Sequence, residues 1–213
     1  VTPTFTNGDE SCAGPSETFT ITVTPTAQVN DLDNIVLCND SDSTEIVFTT
    51  DNQNGTTLYT WTNNNTSIGL GSGGTGNIAS FNATNETTEP VTATITVTPA
   101  YDSTLDCEGP SKTFTITVNP TGQVDPLASQ VVCNADTTTV EFSTENTGGT
   151  TTYEWISSVD LGSGLAGTGD ISFTAINTTT DLLVSTFTVT PTFTNGDESC
   201  AGPSETFTIT VTP

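Results

Sequence analysis

Five cysteines, at positions 12, 38, 107, 133 and 200, are the side chains of this 213-residue chain best suited to covalent chemistry. In an oxidising compartment thiols join as disulfides, and their spacing then frames the fold. Carboxylates are the second resource. The chain has 25 Asp plus Glu and one cation, Lys112, with no His and a net charge of -24. Carboxylates and loop carbonyls are what calcium binds. Asp40 and Asp136 close the segments IVLCND and QVVCNAD, and Asp42 follows the first, in turns after the first strand of each unit; Asp102, Asp106, Asp197 and Glu198 lie in the loops before the last strand, and Asp31, Asp33 and Asp125 lie near the linkers. Asp40, Asp42, Asp197 and Glu198 are the calcium candidates. The plainer reading is surface acidity that keeps an exposed protein soluble, since no spacing matches an EF-hand or a nonapeptide repeat.

The charge excludes partners. Nucleic acid and anionic membrane surfaces both need Lys and Arg, which are almost absent here. No stretch approaches the roughly 18 apolar residues of a membrane span. Ser and Thr abound, but no base is present to activate one as a nucleophile. Paired carboxylates do glycosidase work, yet on an evenly acidic surface they are simply solvated. No enzyme is expected.

Two glycine runs, residues 69–74 and 162–167, match G-x-G-x-x-G. The nucleotide-binding version needs a strand before it and a helix after it. Here a strand pattern follows and no cation is near, so a loop between strands is expected. Lys112 could form an isopeptide bond in principle, but its counterparts Glu17 and Glu205 could not. It reads as a surface charge.

The elements that position these groups are repeated. Residues 1–25 recur letter for letter at residues 189–213. Within that period the chain divides again. Cys12, Cys107 and Cys200 are equivalent, as are Cys38 and Cys133, and Trp61 and Trp155, at separations of 93–95 residues. That is the size of one β-sandwich. Complete units are placed at 26–120 and 121–213, with 1–25 as the tail of a preceding repeat.

Threonine alternates with apolar residues in runs such as FTITV and TATITV, giving one apolar and one hydroxyl face. In the first unit strands are expected at 35–38, 45–50, 58–62, a weak one at 67–70, then 77–83, 91–101 and 112–118, with a glycine-rich loop at 71–76. Core candidates are Val47, Phe48, Tyr59, Trp61, Ile78, Phe81, Ile95, Val97, Phe114, Ile116 and Val118. In the second unit they are Phe142, Tyr153, Trp155, Ile171, Phe173, Phe187, Val189, Phe207, Ile209 and Val211. The linkers 25–28 and 120–123 are short and stiffened by Pro, which implies end-to-end stacking.

This arrangement constrains the thiols. Cys38 follows the first strand and Cys107 precedes the last, at opposite ends of a sandwich whose strands span roughly 25–30 Å. A disulfide needs Cα atoms within about 7 Å. Head-to-tail stacking brings Cys38 to Cys200 instead, leaving Cys12, Cys107 and Cys133 to pair beyond this stretch or stay free. The rivals are Cys38–Cys107 with Cys133–Cys200, or free thiols throughout.

The V-C-N near the first strand, Y-x-W at 59–61 and 153–155, TGNIASFNATN, and TITVTP with C and G-P-S-x-T-F-T-I-T-V resemble the PKD-like, immunoglobulin-like repeats of giant surface adhesins in the Bacteroidota. The resemblance implies an all-β fold of tandem immunoglobulin-like sandwiches stacked in a rod. It implies export by the type IX pathway, display on the outer surface as filaments, and service in adhesion and gliding motility. Partners would be neighbouring repeats, with surface polysaccharide met by distal parts. It also points to O-glycosylation at Asp-Ser/Thr motifs, on Ser43, Ser103 and Thr137. The alternative is a carbohydrate-binding array. Exposed aromatic platforms would favour that, whereas Trp61 and Trp155, in phase with Tyr59 and Tyr153, are expected in the core.

Overall fold

In a computed structural model the chain is described over residues 1–53, 55–101 and 107–213. A short hairpin, β1 (Thr4–Asn7) and β2 (Glu10–Ala13), comes first. The next stretch holds β3 (Ile35–Cys38), β4 (Thr57–Asn63), β5 (Gly73–Thr75), β6 (Val91–Tyr101), β7 (Cys107–Glu108) and β8 (Lys112–Asn119). It is followed by β9 (Gln130–Cys133), β10 (Thr137–Val140), β11 (Thr150–Ser157), β12 (Ala166–Thr168) and β13 (Ile171–Thr174). Last come β14 (Leu183–Asn195), β15 (Glu198–Ala201) and β16 (Glu205–Thr212). The chain is all-β, built as tandem immunoglobulin-like sandwiches.

Each unit has one large sheet. Its order is β3-β8-β6-β4-β5 in the first and β9-β16-β14-β11-β12 in the second, with β7 and β15 paired onto β6 and β14. The opening strand of each lies parallel to the closing one, so that Cys38 is opposite Asn119 and Cys133 opposite Thr212. The facing layer is slight. In the second unit it is β10 against β13. In the first it is two isolated bridges, Asp42 with Asn82 and Ile46 with Ile78.

Period-two patterning explains the cores. In β6, Ala93, Ile95 and Val97 face inward and are fully buried, and Ile116 and Val118 meet them from β8. The threonines between them face water and pair across strands. Thr92 bonds Thr117 at 2.8 Å, Thr98 bonds Ser111 at 2.7 Å, and Thr190 bonds Ser204 at 2.7 Å. Such cross-strand pairs are the stabilising unit of a sheet. Phe187 organises the second core, stacking on Phe207 at 5.2 Å with Trp155 tilted beside it at 5.7 Å.

Several expected details change. Val47 is exposed, because Ile46 and Phe48 point inward and period two sends the residue between them out. Residues 67–70 form no strand; Thr66–Ile68 is a 3-10 turn capped by Asn65, and it buries Ile68. The glycine-rich loop contains strand β5, which packs on β4. Gly74 there lies over the Trp61 indole, where a Cβ would meet ring atoms at 2.8–2.9 Å, and Gly167 covers Trp155 in the same way. The glycine runs thus serve tryptophan packing. No helix among the described residues is long and apolar enough to cross a membrane.

Candidate functional site

The side chains with chemical potential converge where the two sandwiches meet. Along β6, ten residue steps separate the Val91–Val118 end from the Tyr101–Cys107 end, roughly 33 Å. Cys38 lies at the first end and Cys107 at the other. In the second unit the β14–β15 hairpin carries Cys200 opposite Phe193, and its tip reaches back to β3. There Cys38 and Cys200 form a disulfide, with Cα atoms 5.4 Å apart although they are 162 positions apart in sequence. Cys12 and Cys133 are exposed free thiols and Cys107 is a half-buried one.

Asparagines surround the bond. Asn195 Nδ2 donates to Asn119 Oδ1 at 3.0 Å, and Asn119 Nδ2 donates to the Asn195 carbonyl at 3.4 Å. Asn39 Nδ2 donates to Thr121 Oγ1 at 3.1 Å, and its Oδ1 accepts the Asn85 N–H at 2.7 Å. Buried Asn85 donates to the carbonyls of Val118 and Glu89, which fixes the end of β8 on which the hairpin sits. On another side of the joint, the Thr147 N–H donates to the Thr88 carbonyl at 2.8 Å, and Pro90 lies against Gly148. Asn146 grips the linker, accepting the Gln123 N–H and donating to the Thr121 carbonyl. Gly202 is packed so closely on the Gly122 carbonyl that no side chain fits.

The start of the first unit repeats this pattern. Asn52 accepts the Gln28 N–H and donates to the Thr26 carbonyl, and Gly109 packs on the Ala27 carbonyl. Thr24 Oγ1 is hydrogen-bonded to Cys107 Sγ at 3.2 Å. Thr24 is the sequence counterpart of Asn119, so Cys107 stands where Cys200 stands at the formed joint. These asparagines carry no apolar periodicity and were not among the sequence candidates. Their signal is recurrence, at 39 and 134, 52 and 146, and 85 and 177.

The other candidates disperse. Among the described residues no three His, Cys, Asp or Glu side chains are grouped to hold a metal ion. Asp40 accepts from Asn39 and Asp42 from Asn82. Glu198 Oε1 lies 3.7 Å from the Cys38 sulfur, a contact only, since a bonded sulfur has no proton to give; Asp197 sits at the hairpin turn beside it. Ser43 is buried, and its Oγ accepts the Phe81 N–H, so a sugar there would have to break the layer that holds Ile46. That corrects the expectation for Ser43. Thr137 is exposed on β10. Ser103, Asp102 and Asp106 lie outside the described residues. Lys112, partly exposed, pairs with Asp31, whose side chain is almost fully exposed. The groove beside them, about 530 Å³, is lined by Gln28, Val29, Asp31, Asp51, Pro110 and Lys112, with no aromatic platform for a sugar.

Trp61 and Trp155 are buried, as is Tyr59, while Tyr153 is half-buried. Phe48 tilts on Tyr59 at 5.5 Å and Phe142 on Tyr153 at 5.2 Å. Burial pushes both phenol pKa values up; at Tyr153 Asp125 and Asp170 add to the rise, and hydrogen bonds with Thr50 and Thr144 oppose it.

No family model matches the sequence, and no curated protein does. Solved structures with similar folds include the three N-terminal domains of the bacteriophage RB49 highly immunogenic outer capsid protein, at 14% identity, TM-score 0.50, over 87% of this chain and 69% of that one. Fibronectin(III)-like modules of Clostridium thermocellum CbhA match at 12% identity, TM-score 0.35, over 88% and 94%. Mouse cadherin-23 repeats EC22–24 match at 15% identity, TM-score 0.40, over 87% and 66%. At 14% identity the likeness to the capsid-protein domains is one of fold alone.

Proposed function

We propose that the chain is a load-bearing segment of an exported, extracellular filament, a stalk that holds a distal adhesive part away from the cell. The observation that carries this reading is the Cys38–Cys200 disulfide across the joint. It runs beside the peptide linker, so tension crosses the joint by two covalent paths. The Thr88–Thr147 hydrogen bond adds a further tie and restricts bending. A bond of this kind persists in an oxidising, extracytoplasmic compartment. The charge of -24 keeps neighbouring filaments apart. Service in surface adhesion and gliding motility, attachment at an outer membrane, and glycosylation of Thr137 and Ser103 belong to the same proposal through the adhesin resemblance.

Single-molecule stretching from the two termini tests it. With Cys38–Cys200 closed, the stretch between them, a sequence separation of 162, never comes under extension. The oxidised chain should therefore stretch roughly 530–580 Å less than the reduced one. Equal lengths would sink the load-bearing reading. Retention of the folded chain on a surface polysaccharide column would favour the carbohydrate-binding array instead.

A further inference from the structure

The two sulfurs of the joint differ in access. Cys200 is 3% exposed, whereas Cys38 is half-buried and offers the open side of the bond. A thiolate breaks a disulfide by attacking one of its sulfurs, and access decides which. An outside thiol therefore reaches Cys38 Sγ, with Cys200 as the leaving group.

The surroundings of Cys38 Sγ are negative. Glu198 opens β15 opposite Asn195 and places its Oε1 3.7 Å from that sulfur. The Ser199 carbonyl oxygen is 3.6 Å away. Asp40 lies just beyond Cys38 in the chain, and Asp197 precedes Glu198 in the hairpin turn. The chain's one Lys or Arg is elsewhere. Lys112 pairs with Asp31 at the start of β8, and Asn119, the residue opposite Cys38, is at its end. Roughly 23 Å of strand separates the two.

We propose that Glu198 selects which thiols open the joint: its carboxylate turns away anionic thiols such as glutathione and admits cationic ones such as cysteamine. The proposal rests on the joint disulfide that carries the load-bearing reading, and it adds what governs the opening of that bond. In the first step a small thiolate attacks Cys38 Sγ, the Cys38–Cys200 bond breaks, and Cys200 leaves as a thiolate. The small thiol is then held on Cys38 as a mixed disulfide. A second thiolate attacks the outer sulfur of that mixed disulfide and frees Cys38. Two small thiols are oxidised to one small disulfide, and the protein disulfide takes up their two electrons and two protons. Negative charge gathers beside Glu198 in the first step. Glutathione brings further carboxylates to that point, whereas the ammonium of cysteamine pairs with Glu198 as its sulfur arrives. Glu198 is exposed, so salt screens the effect.

The test is the rate at which the oxidised whole chain, carrying C12S, C107S and C133S, loses the Cys38–Cys200 bond to each thiol at equal thiolate concentration. Glu198→Gln should speed reduction by glutathione roughly threefold to tenfold, the scale of one unit charge at about 4 Å in water. Cysteamine should change less than about twofold, and 0.5 M salt should erase most of the glutathione gain. Glu154→Gln removes the same net charge from an exposed site on β11 and should change neither rate. Acid quenching and peptide mapping should find the first glutathione on Cys38. An unchanged glutathione rate in Glu198→Gln, an equal gain with cysteamine (the mark of a loosened joint), or a mixed disulfide mainly on Cys200 would overturn the proposal. Mapping the oxidised chain separates the two ideas. If Cys38–Cys200 is present and Glu198→Gln changes nothing, the joint stands and only the selection of thiols fails; if the bond is absent, both fail.

Discussion

Asn119 and Asn195 hold each other across the joint, each donating through its amide nitrogen to an oxygen of the other, at 3.0 and 3.4 Å. One ends β8 and the other ends β14, so the pair aligns two sheets that share no strand pairing. Asn119 is fully buried, and a buried amide left without a partner is expensive. The pair therefore fixes the angle at which the hairpin presents Cys200 to Cys38.

Asn195→Ala should weaken that alignment without touching either core. Roughly 0.5–1.5 kcal/mol of net hydrogen bonding is lost. The readout is the equilibrium of the Cys38–Cys200 bond against glutathione, which should move roughly twofold to tenfold toward the dithiol. No movement would mean that the disulfide alone sets the joint.

Opening the disulfide should lower stability while leaving both sandwiches folded. Each unit has its own apolar core. The bond closes a loop of 162 residues, worth about 5 kcal/mol in the chain-entropy view. For a chain of this size that corresponds to a fall in thermal midpoint of roughly 10 °C or more. Calorimetry of the C200S variant checks it, with circular dichroism expected to show unchanged strand content at 20 °C. The same scan with a calcium chelator tests the Asp40, Asp42, Asp197 and Glu198 candidates; a shift there would revive them.

Period two and the repeat were enough to place the long strands 91–101 and 112–118 in the sequence, because alternating Thr and apolar residues leave one possible inner face. The weak facing layer was less legible. Residues 45–50 and 77–83 have strand-like composition, yet in the first unit the strand pairing between them among the described residues is the single Ile46–Ile78 bridge. Residues 1–25 show why composition alone stops short. Phe5 is 74% exposed and Phe193 is fully buried, in identical 25-residue contexts. Phe193 is covered by Gly149, by Thr151 of β11 and by the linker at Gly122, whereas residues 1–25 form only the β1–β2 hairpin among the described residues. Burial is conferred by partners far away in sequence. The joint asparagines were illegible for a related reason: their bonds go to linker and loop atoms that no local period marks.

Trp61→Ala should destabilise the first unit by roughly 3–5 kcal/mol, since the indole fills the space between β5 and the core. Trp61→Phe should cost less. The Trp61 Nε1 has no acceptor among the described residues, so only volume and contact are lost. Chemical denaturation monitored by the fluorescence of Trp155 and by dichroism separates the units. A surface tryptophan would show neither loss.

Alkaline pH should unfold the chain by way of Tyr59 and Tyr153. Burial raises both pKa values in the folded state. The unfolded phenols ionise near pH 10. Below that, both states keep the proton and the tyrosines add nothing to the pH dependence. Above it, the unfolded state loses protons first, so stability falls as pH rises through the folded values. Denaturation midpoints between pH 8 and 11.5 measure this, and the Tyr59→Phe/Tyr153→Phe double variant should flatten the decline.

Ala135→Gly should stabilise the second unit. Asp40 and Ala135 hold equivalent places after Cys38 and Cys133, and both lie in the left-handed region, with φ of 61° and 71°. Asp tolerates that conformation better than Ala, whose Cβ crowds the following carbonyl at a cost of roughly 1–2 kcal/mol. The turn keeps it because the Ala135 N–H donates to the Ala175 carbonyl at 2.8 Å and the Ala175 N–H returns a bond to the Asp136 carbonyl. Glycine removes the Cβ and keeps both bonds. It also gives the unfolded chain more freedom, which offsets about 0.4–1 kcal/mol. The net gain should be roughly 0.5–1 kcal/mol. Asp40→Gly, starting from a residue suited to the turn, should gain less than Ala135→Gly. Urea midpoints of the two variants decide it: equal gains, or a loss at Ala135, would show that the turn is not strained there.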